Sequence, residues 1–284
     1  MNDLIKNESS SLSFEVFPPK KEEDFPGAYE LLDKLSTLNP DFISVTYGAG
    51  GSKSKKTVDI ASYIKNTLKI PTLAHITCVG NRREDIDRVI LDLKNAGINN
   101  VLALRGDRPA SMSDEQYNSR EFEHANDMIA YLKKTTDFHI AAACYPEKHY
   151  EALDFETDLK NLLNKVEAGA GLLISQLFFE NDAFYRFEEK ARSLGITVPI
   201  CAGIMPITTS KQLGTTVSLS GSTVPKKLAD LIATYDDKPE EMRKAGIDFA
   251  ISQINDLKAH GVGHIHICSM NKAKTTAEIV SAIR

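Results

Sequence analysis

The stretch NRREDIDRVILDLKNAGINNVLALRGD, residues 81–107, holds one complete structural unit. Asn81 with Glu84 predicts a capping pair at a helix start, and Ile86, Val89, Ile90 and Leu93 recur at helical spacing. Gly97 closes that helix, and the apolar run Asn100 to Leu104 predicts a strand that ends on Arg105-Gly106-Asp107. The same order recurs along the chain. Gly169, Gly195 and Gly261 each stand between a helical stretch and an apolar run, and further stripes of helical period are Ile60, Ala61, Ile64, Leu68 and Leu159, Leu162, Leu163, Val166. The strands read this way are Leu12 to Phe17, Phe42 to Thr46, Thr72 to Ile76, Asn100 to Leu104, His139 to Ala143, Leu172 to Gln176, Pro199 to Ile204 and His264 to Cys268. Only Ser210 to Gly261 breaks the rhythm, with room for two or three helices before the last strand.

Strands alternating with helices form parallel sheets, and eight of them can close on themselves and remove both sheet edges. The prediction is an α/β protein, a single (β/α)8 TIM barrel in which residues 1–284 form one catalytic domain. An open doubly wound sheet is the rival; no G-x-G-x-x-G follows the first strand, and no composition break or Pro/Ser/Gly linker marks a second domain.

Composition narrows the function. A hydrophobic fraction of 42 % in 284 residues excludes a disordered chain. With 34 Lys and Arg against 39 Asp and Glu, the net charge of −5 argues against a nucleic-acid surface, so cations for an anionic ligand must be placed locally. The widely spaced Cys78, Cys144, Cys201 and Cys268 form no C-x-x-C pair and read as reduced core thiols. No apolar run approaches the roughly 20 residues of a spanning helix and Met1 to Ser10 has no signal core, so a cytoplasmic protein without membrane contact is expected.

Barrel enzymes carry their chemistry at the C-terminal ends of the strands. Those ends are polar here: Glu15, Thr46-Tyr47, His75 and Thr77, Arg105-Gly106-Asp107, Tyr145 and His149, Gln176, then Asn271 and Lys272. Alternation sets Glu15 opposite Phe14 and Val16, and a carboxyl in a barrel mouth among aromatics resists ionisation and becomes a proton donor near neutral pH; the bland alternative is a structural pair with an arginine. Arg105 offers donors to an anion, Gly106 lets backbone approach a ligand and Asp107 adds a fixed negative charge, unless the tripeptide forms only a loop salt bridge. Gly48 to Ser52 is either a phosphate cradle or a flexible loop. His264 and His266 share one strand face and read as a metal pair or, more simply, as core histidines; Phe178, Phe179, Phe184 and Phe187 read as packing.

Taken together, Ser13-Phe-Glu-Val-Phe-Pro-Pro19, Ser44-Val-Thr-Tyr-Gly-Ala49, His75-Ile-Thr-Cys78, Ala103-Leu-Arg-Gly-Asp107, Tyr145-Pro-Glu-Lys-His149, Gln176-Leu-Phe-Phe179 and Gly203-Ile-Met-Pro206 resemble the methylenetetrahydrofolate reductase family, in its short bacterial form without an appended regulatory domain. The resemblance spans nearly the whole chain. It implies a non-covalent FAD reduced by NADH or NADPH, ping-pong hydride transfer to 5,10-methylenetetrahydrofolate, and a homo-oligomer. It makes Glu15 the general acid, sets Asp107 beside flavin and folate, and assigns substrate contacts to Glu15, Asp107, Gln176 and Lys272. Flavin contacts carry over to Thr46, Tyr47, Ala49, His75, Arg105, Gly106, Asp107, Ala125, Tyr145, His149, Ala152, Asp158, Asn161 and Lys165, with Arg105, His149 and Lys165 supplying positive charge for the diphosphate. Glu15 would protonate N10 as the five-membered ring opens to an iminium cation; ionised Asp107 would favour that cation and lower the flavin potential. Two departures stand out. Ile207-Thr-Thr-Ser210 lacks the aromatic the family carries in that loop, and Lys272 replaces an arginine expected at the folate glutamate. A metal-dependent barrel hydrolase and a non-catalytic flavin or folate binder are the alternatives.

Overall fold

A computed structural model describes residues 4–5, 9–47 and 52–284. Eight strands, β1 (Ser11–Val16), β2 (Phe42–Val45), β3 (Thr72–Thr77), β4 (Asn100–Leu104), β5 (His139–Cys144), β6 (Leu172–Ser175), β7 (Ile200–Ile204) and β8 (His264–Cys268), pair in sequence order as a closed barrel. Every pairing is parallel, including β8 on β1. The predicted strands match these to within one residue at either end. Around them lie α1 (Phe25–Ser36), α2 (Ser52–Ser62), α3 (Arg83–Asn95), the short α4 (Asp114–Asn118), α5 (Ala125–Thr135), α6 (Phe155–Ala168), α7 (Asn181–Ser193), α8 (Ser210–Ser220), α9 (Lys226–Tyr235), α10 (Pro239–Ala259) and α11 (Ala273–Ile283). The long stretch before β8 thus holds three helices.

Strand alternation divides the apolar residues into two shells. Phe14, Ile43, Ala74, Val101, Ile140, Leu173 and Ile265 face outward onto the helix stripes, among them Ile60 and Ile64, Ile86, Val89 and Leu93, and Leu159 and Leu162. Phe42, Leu73, Leu102, Ala141, Leu172, Ile174 and Cys201 fill the inside, joined by the fully buried Leu4. Burying a leucine stabilises the fold by roughly 2 kcal/mol. Nothing local to Met1–Ser10 marks Leu4 for that place, because only the closed ring creates it.

Polar interior groups pair within the barrel. His266 Nδ1 lies 2.7 Å from Ser13 Oγ and Nε2 lies 3.3 Å from Ser44 Oγ, while His264 Nδ1 lies 3.0 Å from Ser11 Oγ. Burial pushes His266 down to about 4, so it is neutral. His266 is a core histidine and His264 a half-buried one at the start of β8, and no group of three or more metal-ligating side chains occurs among the described residues. In the core Phe178 stacks on Phe184, and Phe187 packs against Phe184 at a tilt of 54°.

The helix punctuation holds at its ends and shifts at one start. Gly97 adopts φ 71° just after α3, a left-handed turn that suits glycine. At the other end of α3 the Asn81–Glu84 pairing does not form: Asp85 accepts from the Arg82 N–H at 3.1 Å, while Asn81 Nδ2 turns back to the Thr77 carbonyl at 2.8 Å. Asn81 sits one position too early to cap and ties the end of β3 instead. Finally, Gly246 of α10 presses against the loop after β7, where an added Cβ would stand 1.7 Å from the Ile207 carbonyl oxygen.

Candidate active site

Glu15 rises from β1 on the inward face, since its neighbours Phe14 and Val16 are buried outward. The β1–β8 register sets it opposite Cys268, whose Sγ lies 3.6 Å from Oε1. On the other side His75 Nε2 is 3.7 Å from Oε2, too long for a hydrogen bond. Burial pushes Glu15 up to about 7, against the opposing pull of the Cys268 thiol, and drives His75 down to about 3. The contact is therefore no ion pair, because His75 is neutral throughout the working pH range. Nor does an arginine neutralise Glu15 among the described residues. Its surroundings are a thiol and a neutral imidazole rather than the aromatic cluster expected.

The end of this strand is clamped from β8. Ser269 donates its N–H (3.1 Å) and its hydroxyl (2.6 Å) to the Glu15 carbonyl. Asn271 then mimics a strand partner, accepting from the Phe17 N–H and donating to the Phe17 carbonyl, both at 2.9 Å. Met270 and Asn271 hold φ of 49° and 54° to make that turn, left-handed values that non-glycine residues adopt only under constraint.

Across the mouth, above β4 and β5, opens a cleft of about 230 Å³. Its walls include Arg105, Ala125, Tyr145, His149, Ala152, Asp158, Asn161 and Lys165, so residues from the end of β4, the start of α5, the loop after β5 and α6 converge. The sequence reading missed His124, Glu151 and Asn164, which also line it. Thr46 and Tyr47 lie at the end of β2, His75 beside Glu15, and Gly106 with the exposed Asp107 in the loop after β4; none of these lines the cleft. Ala49 and the glycine-rich run from Gly48 to Gly51 fall outside the described residues.

Electrostatics in the cleft differ from the expected cluster of three cations. Arg105 forms a two-point pair with Glu151, Nη2 to Oε1 at 3.0 Å and Nη1 to Oε2 in direct contact. The guanidinium holds Glu151 down at about 2. The loop salt bridge considered for the tripeptide thus forms, and it forms inside the cleft. His149 is not a cation: its Nδ1 accepts from the Glu151 N–H at 3.1 Å, and burial, with Arg105 nearby, lowers its pKa. The His149 N–H donates to Asp158 Oδ2 at 2.9 Å. Lys165 is drawn inward, donating to the Ala143 carbonyl at 3.0 Å and standing 5.5 Å from the Tyr145 ring centroid. Gly106 adopts φ 84°, and a Cβ there would meet Val79 Cγ1 at 2.8 Å, so chain packing by itself demands glycine.

The remaining expected positions lie on the mouth. Gln176 Oε1 accepts from the Leu177 N–H at 2.9 Å. Lys272 donates to Thr208 Oγ1 at 2.9 Å. Loop residues 207–210 serve structure: Ile207 is buried, the Thr208 N–H and hydroxyl both bond Gln212 Oε1 at 3.1 Å, and Thr209 caps α8 through its hydroxyl.

A closed parallel barrel whose mouth carries a protonatable carboxyl, with a charged cleft beside it, defines the chain as a (β/α)8-barrel protein of the enzyme type. The family model for methylenetetrahydrofolate reductase matches residues 1–284, and the chain belongs to that family of oxidoreductases. It is 34 % identical over 270 residues to 5,10-methylenetetrahydrofolate reductase of Escherichia coli K12, covering 95 % of this chain and 89 % of that one. It is also 34 % identical over 291 residues to methylenetetrahydrofolate reductase (NADH) 1 of Arabidopsis thaliana, where it spans 99 % of itself but only 49 % of that relative. Among solved structures, a Clostridium thermocellum protein that binds two copies of 5-methyl-5,6,7,8-tetrahydrofolic acid shares the fold, with a TM-score of 0.67 and 15 % identity over 99 % of this chain and 96 % of that one. No helix among the described residues is long and apolar enough to cross a membrane.

Proposed function

We propose that this chain reduces 5,10-methylenetetrahydrofolate to 5-methyltetrahydrofolate with NADH or NADPH through bound FAD, as a cytoplasmic homo-oligomer. The observation that carries the chemistry is Glu15, a carboxyl at the barrel mouth that burial keeps protonated up to about pH 7. Family membership supplies the substrate class.

The donor set of the cleft fits FAD. Lys165 matches a diphosphate, Arg105 joins it by exchanging Glu151 for the anion, Asp158 and Asn161 match sugar hydroxyls, and the Tyr145 ring offers an apolar wall. The cleft is smaller than the whole cofactor, so its remainder would extend over the mouth toward His75, whose buried Nε2 has no hydrogen-bond partner. When bound, FAD would take a hydride from the nicotinamide and deliver it to the methylene carbon of the folate. Glu15 would hold the proton that N10 needs for ring opening, and the Cys268 thiol, which donates to Oε1, orients the carboxyl without neutralising it by charge. Gln176 and Lys272 would orient the folate. Asp107 is exposed on the loop beside the mouth, where its carboxylate would favour a substrate cation.

Three results test this reading. Purified protein offered FAD takes up the visible flavin spectrum; in anaerobic stopped flow, NADH or NADPH bleaches it and methylenetetrahydrofolate restores it. A protein that stays colourless in excess FAD overturns the proposal. Asp107→Asn raises the flavin midpoint potential, and an unchanged or lower potential removes the electrostatic role of Asp107. The pH dependence is directional: folate reduction declines as pH rises through about 7, because the acid is lost. The Cys268 thiol stabilises the ionised carboxylate, so Cys268→Ala moves that decline to higher pH while Cys268→Ser keeps it near its original place. A profile indifferent to Cys268→Ala would separate the thiol from the acid.

A further inference from the structure

Glu15 stands close to where its strand leaves the barrel. The β1–β8 register ends with Glu15 opposite Cys268, and on the other edge of β1 the Thr46 N–H donates to the Val16 carbonyl at 3.0 Å. Pro18 and Pro19 follow, and neither has an N–H with which to extend the sheet. Phe17 therefore carries the final backbone donor before the two prolines. A strand end without a partner at that point would fray, and the acid lies two residues from it.

The turn out of β8 supplies the partner. Lys272 donates its N–H to the Ser269 carbonyl at 2.8 Å, closing a four-residue turn with Met270 and Asn271 at its centre, both at positive φ. The Ser269 hydroxyl, which donates to the Glu15 carbonyl, also accepts from the Asn271 N–H at 3.2 Å, so turn and strand share one network. Asparagine tolerates the left-handed region, whereas methionine is strained there. Glycine at both positions would make the same turn without strain. What glycine lacks is the carboxamide that bonds both the N–H and the carbonyl of Phe17. Those two bonds lie at the exposed rim, where water serves a backbone group nearly as well, so they add little to stability. Their effect is to fix direction.

We propose that Asn271 is a positioning residue for proton transfer: by holding Phe17 in register with β8, it keeps the Glu15 carboxyl aimed into the mouth. The inference rests on the acid role given to Glu15 above and adds the part of the chain that aims it. The side-chain bonds of Asn271 go to the β1 backbone, so it acts on the acid through the strand. Little else aims the carboxyl. His75 on β3 is too distant for a hydrogen bond, and the Cys268 thiol on β8, a weak donor, reaches one oxygen at 3.6 Å. An acid held so lightly by its side chain takes its direction from the backbone beneath it, and a misplacement of about 1 Å can cost about 10²-fold in rate.

The test is anaerobic stopped flow on FAD-loaded Asn271→Gly, which keeps the left-handed turn free of strain and removes both bonds to Phe17. Hydride transfer from the nicotinamide to the flavin is expected to be unchanged, while folate reduction slows by about 10²-fold. Its decline with pH, near 7 in the unmodified protein, moves to lower pH, because a loosened strand end admits water and weakens the burial that raises Glu15. The titratable groups that face Glu15, His75 and Cys268, are untouched by the substitution. Asn271→Ala loses the same bonds but is strained in the turn, so it slows folate reduction equally and melts at a lower temperature. Circular dichroism confirms the fold of both variants. Folate reduction by Asn271→Gly at the unmodified rate, a pH profile that does not move, or equal slowing of both half-reactions overturns the role of Asn271 and leaves the reading of Glu15 standing. If Glu15→Gln itself reduces folate at the unmodified rate, the acid reading falls and the positioning role with it.

Discussion

Glu15→Gln is expected to slow folate reduction by a factor of about 10² to 10⁴, the usual contribution of a general acid, while the protein still binds FAD and accepts hydride from the nicotinamide. The amide has the shape of the carboxyl and can stay beside Cys268 Sγ and His75 Nε2, so the packing of the mouth survives. What it lacks is a transferable proton. The two half-reactions separate cleanly by this criterion, since Glu15 has no part in the first. Each is measured alone by anaerobic stopped flow, and folate turnover at the unmodified rate would remove Glu15 from its role.

A second large effect concerns stability rather than chemistry. Exchanging a helical glycine for alanine commonly stabilises a helix by about 0.5–1 kcal/mol. At Gly246 the sign reverses, because the new methyl would sit 1.7 Å from the Ile207 carbonyl oxygen and 2.8 Å from its carbon, both backbone atoms. Either α10 or the loop after β7 must move. The cost is roughly 3 kcal/mol, which lowers the melting temperature by about 6–12 °C. Gly214 in α8 is the control: a Cβ there meets nothing within 4 Å, so Gly214→Ala should leave the melting temperature unchanged or raise it. Similar melting curves for the two variants would show that α10 approaches the loop less closely than described. The shift also reaches the site, since the same loop carries Thr208, the partner of Lys272.

The barrel was legible because its signals are local. Helical stripes, closing glycines and apolar runs lie within a few residues of one another, and ring closure follows from their number and order. Glu15 was legible for the same reason, as a lone carboxyl inside an apolar strand ahead of two prolines. Non-local features escaped. Leu4 looks like part of a polar leader until the ring exists to receive it. Cys268 reads as another core thiol, since only the β1–β8 register brings it to Glu15. His149 reads as a cation until burial and a neighbouring guanidinium strip its proton, and Glu151 reads as a surface acid although it occupies the Arg105 fork. Loop residues 207–210 lack an aromatic, and their hydrogen bonds explain what they do instead: they cap a helix and anchor a lysine.

Pairing of β8 with β1 has a consequence for biogenesis. Ser11 meets His264, residues 253 positions apart, so the last seam of the ring joins the earliest-made strand to the latest. Contacts of such separation form late. During synthesis the acid would wait, unsheltered and with an ordinary affinity for protons, until the ribosome releases the final strand. The capacity to donate a proton near neutrality is therefore a property of the closed ring, acquired in the same step that seals the cylinder.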